Sequence, residues 1–149
     1  MTGDRLFVDT NVLLRATHSN LGAHTVTAAY LAQRQREGTE LWISRQVIRE
    51  YLVQVTRPGL FERPLNGSEA AILAAELQAL FRVADDDVGV TSQLLRLLRE
   101  YPVGGKQIHD ANIIATMLTC GVDQLVTMNY SDMQRFSPLV DVIHLQVES

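Results

Sequence analysis

The chain has 149 residues, 46% of them hydrophobic and 20% charged, the makeup of one ordinary globular domain large enough to bury its own core without a disulfide or structural metal. Its net charge of −4 argues against a protein that works mainly by gripping nucleic acid through a basic patch, and no run approaches the roughly 20 apolar residues of a membrane span. A single cysteine, Cys120, excludes an internal disulfide framework and reads as a core residue in a reducing compartment.

In chain order, Met1-Thr2-Gly3-Asp4-Arg5 lacks the charged and then apolar stretch of a secretory leader, so a cytoplasmic protein is expected. Arg5–Asp9 is a short apolar run ending on an acid, the pattern of a buried strand. Asn11–Thr17 and Ala23–Arg36 read as helices separated by the Ser19-Asn20-Leu21-Gly22 break, with Gly38 just past the second. Leu41–Ser44 is a second strand, and a helix runs from Arg45 to Thr56, where Pro58-Gly59 stops it. On that helix Val47, Ile48, Tyr51, Leu52 and Val55 share one face, with Glu50 at the border of the stripe. Pro64–Gly67 is a loop, Ser68–Leu80 a helix and Phe81–Ala84 a third strand. Asp85-Asp86-Asp87 reads as the solvated start of a helix reaching Tyr101, its acids interacting with the macrodipole rather than holding a metal. After Pro102-Val103-Gly104-Gly105, Asp110–Cys120 is helical, Gln124–Thr127 is a fourth strand, and Val140–Leu145 a fifth at an edge. Strands alternating with helices imply right-handed crossovers and a mainly parallel sheet of four to five strands, with helices on both faces. Nothing splits the chain, so residues 1–149 are expected to form a single α/β domain.

Four acids stand where segments begin or end: Asp9, Glu50, Asp110 and Asp132. A strand that stops on an acid delivers a carboxylate to the rim of the sheet, where open parallel sheets bind ligands. Carboxylates gathered at one rim repel, and a hard divalent cation relieves that repulsion. Each acid also has a plainer explanation. Asp9 and Asp110 suit helix N-caps, and Glu50 could pair with Arg45 or Arg49 on the helix surface. His109, beside Asp110 and without a partner in sequence, reads as a packing or hydrogen-bonding residue rather than a general base. There is no zinc spacing, no glycine-rich phosphate loop and no nucleophile elbow.

Taken together, Phe7-Val8-Asp9-Thr10-Asn11-Val12-Leu13-Leu14, Glu50 in an early helix, Gly105-Lys106-Gln107-Ile108-His109-Asp110-Ala111, and Leu125-Val126-Thr127-Met128-Asn129-Tyr130-Ser131-Asp132 resemble the PIN-domain family, and in particular its bacterial VapC-type toxins. The resemblance covers nearly the whole chain. It implies a PIN-like fold with Asp9, Glu50 and Asp110 as the core metal-binding acids and Thr10 and Thr127 as hydroxyls orienting them. The family's last motif places an acid or Asn where Asn129 stands and an aromatic where Met133 stands. The fourth acid is therefore assigned to Asp132, with Asn11 and Asn129 in support, Asn129 as a carbonyl donor or water positioner. The likeness further implies an Mg²⁺- or Mn²⁺-dependent endoribonuclease, a small antitoxin partner and a homodimer.

Such chemistry needs no side-chain nucleophile, in keeping with the missing motifs. Twelve of the thirteen cationic residues are arginine, whose planar fork suits phosphate. By their nearness to the motifs Arg15, Arg45, Arg49 and Lys106 are the candidates for contacts to RNA phosphates. Trp42 and Tyr51 read as core. Two rival readings stay open: a haloacid-dehalogenase-like phosphatase, which wants an acid where Asn11 stands, and a non-catalytic PIN-like module that docks RNA or a partner.

Overall fold

The computed structural model describes residues 4–145; most of the N-terminal stretch on which the leader expectation rests lies outside them. Five strands form one sheet in the order β3-β2-β1-β4-β5, and every pairing is parallel. The strands are β1 (Arg5–Val8), β2 (Glu40–Ser44), β3 (Arg82–Ala84), β4 (Gln124–Thr127) and β5 (Asp141–His144). The helices are α1 (Thr10–Thr17), α2 (His24–Arg36), α3 (Arg45–Thr56), α4 (Gly67–Leu80), α5 (Val88–Glu100), α6 (Gln107–Cys120) and the short α7 (Tyr130–Met133).

The order of the sheet follows from its crossovers. From β1 the chain steps outward through β2 to β3, then returns across the sheet to β4 on the other side of β1. Right-handed connections running in opposite directions put their helices on opposite faces. Helix α1 accordingly packs with α2 and α3, and α3 with α4, while α5 and α6 pair closely as a second layer. With helices over both faces, the central strands need no polar side: Leu6, Phe7 and Val8 on β1 and Leu125 and Val126 on β4 are wholly buried. They join Val12, Leu13, Ile43, Val47, Ile113, Ile114 and Met117 in one continuous core. Tyr51 lies in that core, whereas Trp42 is only half-buried, with the Arg5 guanidinium 5.8 Å from its ring centre. Cys120 is likewise only half-buried. No helix among the described residues is long and apolar enough to cross a membrane.

Local chemistry explains two of the helix starts that differ from the sequence reading. Helix α4 opens one residue earlier, at Gly67, because Asn66 and Glu69 form a reciprocal capping box: the Asn66 side chain accepts from the Glu69 amide at 2.9 Å, and the Glu69 carboxylate from the Asn66 amide at 3.1 Å. Helix α6 begins at Gln107 rather than Asp110, after turns in which the amides of Gln107, Ile108 and His109 bond to Gly104, Gly105 and Lys106 carbonyls. Asp110 therefore projects from the first turn of α6 and does not cap it. Of the three consecutive acids, Asp87 is the N-cap of α5, accepting from the amides of Gly89 and Val90.

Candidate active site

In this strand order the direction of winding reverses between β1 and β4, and the crevice beyond their carboxyl ends is where such sheets receive ligands. Asp9 stands at that point. It follows β1, and its amide bonds to the Val126 carbonyl of β4 at 3.2 Å. Asp9 is the N-cap of α1, one carboxylate oxygen accepting from the Thr10 amide at 2.8 Å. Its other oxygen accepts from the Thr127 hydroxyl, also at 2.8 Å, at the end of β4. The helix-cap and site readings of this residue thus coexist.

Thr10 joins two acids. While its amide holds Asp9, its hydroxyl donates to Glu50 Oε1 at 2.7 Å across forty residues of sequence. Glu50 Oε2 accepts from the Gln46 amide nitrogen at 3.0 Å. Thr127 has a second task as well, its oxygen accepting from the Asn129 amide at 2.9 Å. Asp9, Glu50 and Asp110 line one cleft of about 580 Å³ together with Thr10, Asn11, Leu14, Gln54, Arg57, Met128 and Asn129.

The electrostatics of this cleft are unbalanced. Burial pushes the Asp9 carboxyl above the usual carboxylate range, with the Glu50 charge adding to it and the bonds from Thr127 and Thr10 opposing. Asp110 rises to about 6, first through burial and then through the charges of Asp9, Asp132 and Glu50, with Arg135 pulling the other way. Asp132 on α7 faces Asp110 through that charge but does not line the cleft. Among the described residues no three acids or imidazoles form a ready-made cage for an ion. The donors nevertheless fit one. A carboxylate offers about four lone-pair directions, and Asp9 and Glu50 each use two for hydrogen bonds. All are hard oxygens, the set that Mg²⁺ and Mn²⁺ take.

The four cations expected to meet RNA phosphate do not line this cleft. Arg45 pairs with Asp85 at 3.2 Å and Arg49 with Asp86 at 3.6 Å, while Arg15 donates to the Gly22 carbonyl at 2.8 Å. Lys106 is exposed just before α6. Adjoining residues on a helix point to different sides, so nearness in sequence does not by itself bring a cation to the cleft. The cation that does line the cleft is Arg57. Its signal was available in the spacing, since Glu50, Gln54 and Arg57 fall at i, i+4 and i+7, one face of α3 carried to its end. His109 is exposed and outside the cleft.

A family model described as PIN domain matches residues 6–136. The chain belongs to the PIN domain family. It is 26% identical over 132 residues to ribonuclease VapC24 of Mycobacterium tuberculosis, covering 88% of this chain and 90% of that one. Among solved structures, this PIN domain is similar to VapBC2 from Rickettsia felis bound to a fragment of promoter DNA, with a TM-score of 0.68 at 16% identity over 95% of this chain and 99% of that one. It is also similar to the sarcin-ricin-loop-cleaving toxin VapC20 of M. tuberculosis, with a TM-score of 0.61 at 19% identity over 80% and 86% of the two chains. A third likeness is to FitAcB from Neisseria gonorrhoeae, at a TM-score of 0.65 and 20% identity over 93% and 96%. The single α/β domain with a parallel sheet is thus the PIN fold, and the phosphatase reading falls away; Asn11 puts a neutral amide where that chemistry needs an acid.

Proposed function

We propose that this PIN domain is a metal-dependent endoribonuclease that hydrolyses RNA phosphodiester bonds, and that it is the toxin of a toxin–antitoxin pair. The observation that carries the reading is the convergence of Asp9, Glu50 and Asp110, from three different elements, on one cleft beside a single cation. The similarity to ribonuclease VapC24 supports the substrate class. Asp9, Glu50 and Asp110 would hold Mg²⁺ or Mn²⁺, with Asp132 at the outer side. When bound, such an ion supplies charge neutralisation for an approaching phosphodiester and Lewis acidity toward water.

The chain's own residues supply orientation. Thr10 and Thr127 fix both oxygens of Asp9 and one of Glu50, while Asn11 and Asn129 place neutral amides on the cleft wall. Arg57, the residue just past the end of α3, lines the cleft about two turns on from Glu50 and would meet a phosphate of the bound RNA. Arg57→Ala is expected to raise KM for a short RNA about tenfold, the worth of one charge-assisted contact, with little change in kcat. Steady-state kinetics showing an unchanged KM would remove Arg57 from the binding surface. Glu50→Gln is expected to weaken Mn²⁺ on the order of tenfold by deleting a ligand charge, and unchanged calorimetric affinity would take Glu50 out of the ligand set.

A small antitoxin is the partner this reading implies, in line with the toxin–antitoxin complexes among the structural relatives. Val53 and Ile72, exposed on α3 and α4, offer apolar surface for such a partner or for a second copy in a homodimer. The deciding experiment incubates purified protein with single-stranded RNA and Mn²⁺, with and without EDTA. Cleavage that needs the metal is the expected result. Absence of cleavage, or equal cleavage in EDTA, would overturn the reading, and a non-catalytic module would then take its place. A small open reading frame beside the gene would mark the pair.

A further inference from the structure

Gln46 stands one turn before Glu50 on α3 and outside that helix's apolar stripe, yet its polar side chain is buried, 4% exposed. Burying an amide costs free energy unless its hydrogen bonds are made, and here they are. Its nitrogen donates to Glu50 Oε2 at 3.0 Å and to the backbone carbonyl of His109 at 2.9 Å. Its oxygen accepts from the Asn112 side-chain nitrogen at 2.7 Å. The amide orientation is fixed by chemistry, because a carboxylate and a carbonyl only accept. Asn112 also donates to Asp86 at 3.3 Å, and Asp86 pairs with Arg49 at 3.6 Å. The network therefore runs from the cleft to the surface with no buried side-chain atom left unpaired, and it ties α3, which carries Glu50, to the first turn of α6, which carries Asp110.

We infer that Gln46, locked by Asn112, is a positioning residue for the acid cleft: it fixes the free oxygen of Glu50 and, through the His109 carbonyl, the separation between Glu50 and Asp110. The inference rests on the metal-dependent reading above. Glu50 has one oxygen held from α1 by Thr10 and the other from its own helix by Gln46. Without Gln46 the carboxylate keeps only the Thr10 bond at Oε1, so Oε2 loses its orientation, and the two helices lose their only side-chain tie at the level of the acids among the described residues. Hydrogen bonds that orient metal ligands typically change affinity by 10- to 100-fold when removed.

The test compares wild type, Gln46→Met, Glu50→Gln and the double variant. Gln46→Met keeps the length of the side chain and removes its hydrogen-bonding groups. The expected result is a folded protein by circular dichroism, an Mn²⁺ dissociation constant raised about tenfold by calorimetry, and a lower kcat on RNA with KM for RNA unchanged. In the Glu50→Gln background the same change should leave Mn²⁺ affinity within about twofold, because the carboxylate it positions is gone. Asn112→Ala, which removes the lock and leaves Gln46 in place, should weaken Mn²⁺ in the same direction but less. If Gln46→Met lowers the melting temperature yet keeps Mn²⁺ affinity and kcat, the residue only ties helices and the inference is wrong. A full-size effect in the Glu50→Gln background overturns it as well. A wild-type protein that neither binds Mn²⁺ nor cuts RNA fails the reading underneath, an outcome visible before any variant is compared.

Discussion

Asp110→Asn is expected to abolish RNA cleavage and, at neutral pH, to make the metal-free protein more stable than wild type. Both effects come from the same carboxyl group. In the folded chain burial and the neighbouring acids push its pKa up to about 6 from the ordinary 3.8 of an aspartate, so the folded state holds this proton more tightly than the unfolded one. Well below pH 4 the group is protonated in both states and has no effect. As pH rises from about 4 to about 6 the unfolded chain releases its proton first, and native stability falls; above pH 7 the loss is complete. The shift corresponds to about 3 kcal/mol at 1.36 kcal/mol per unit, and to roughly 1–2 kcal/mol once solvent screening of a half-buried group is allowed for. Asparagine has the same shape and no charge, so the variant should lose this slope. Mn²⁺ should raise the melting temperature of wild type at pH 7, much less at pH 5 where protons compete, and hardly that of Asp110→Asn. Calorimetric melts at pH 5 and 7, with and without Mn²⁺, measure all of this. A variant less stable than wild type at pH 7 without metal would mean that Asp110 is compensated by contacts other than a cation.

The parts of this molecule that were legible in its sequence are those governed by local rules. Continuous apolar runs such as Leu6-Phe7-Val8 and Leu125-Val126 announce strands buried on both faces, and they pair side by side. Helices ended by Pro58 or Gly121 stop where those residues require. The candidate acids were legible because Asp9 follows a strand and Asp110 lies in the first turn of a helix, positions that converge in a parallel sheet. What stayed hidden depends on long-range geometry. Thr10 reaches Glu50, and Gln46 reaches Asn112, across tens of residues that no local pattern connects. The arginines illustrate the same limit. Arg45 and Arg49 look available in sequence, yet the turn after β3 brings Asp85 and Asp86 against them. Arg57, further from any motif, sits on the cleft wall because it completes a helical face.

Asp9 offers the sharpest separation of fold from chemistry, since it holds a helix and faces the cleft at once. Asp9→Asn keeps an oxygen able to accept from the Thr10 amide, so the cap on α1 survives and the fold should remain. The charge is lost, and with it Mn²⁺ binding and RNA cleavage. Asp9→Ala removes the cap too, leaving the Thr10 amide and the Thr127 hydroxyl without their acceptor. A lost cap costs about 1 kcal/mol and an unpaired buried donor about 1–3 kcal/mol. Relief of a carboxylate whose burial already raises its pKa offsets part of this, so the net destabilisation should be on the order of 1–2 kcal/mol. Chemical denaturation and cleavage assays on the two variants give a two-way comparison. Equal activity loss with unequal stability assigns both tasks to one side chain. If Asp9→Asn cut RNA at the wild-type rate in Mn²⁺, Asp9 would be a cap and nothing more, and the ion would have to be held by Glu50, Asp110 and Asp132 alone.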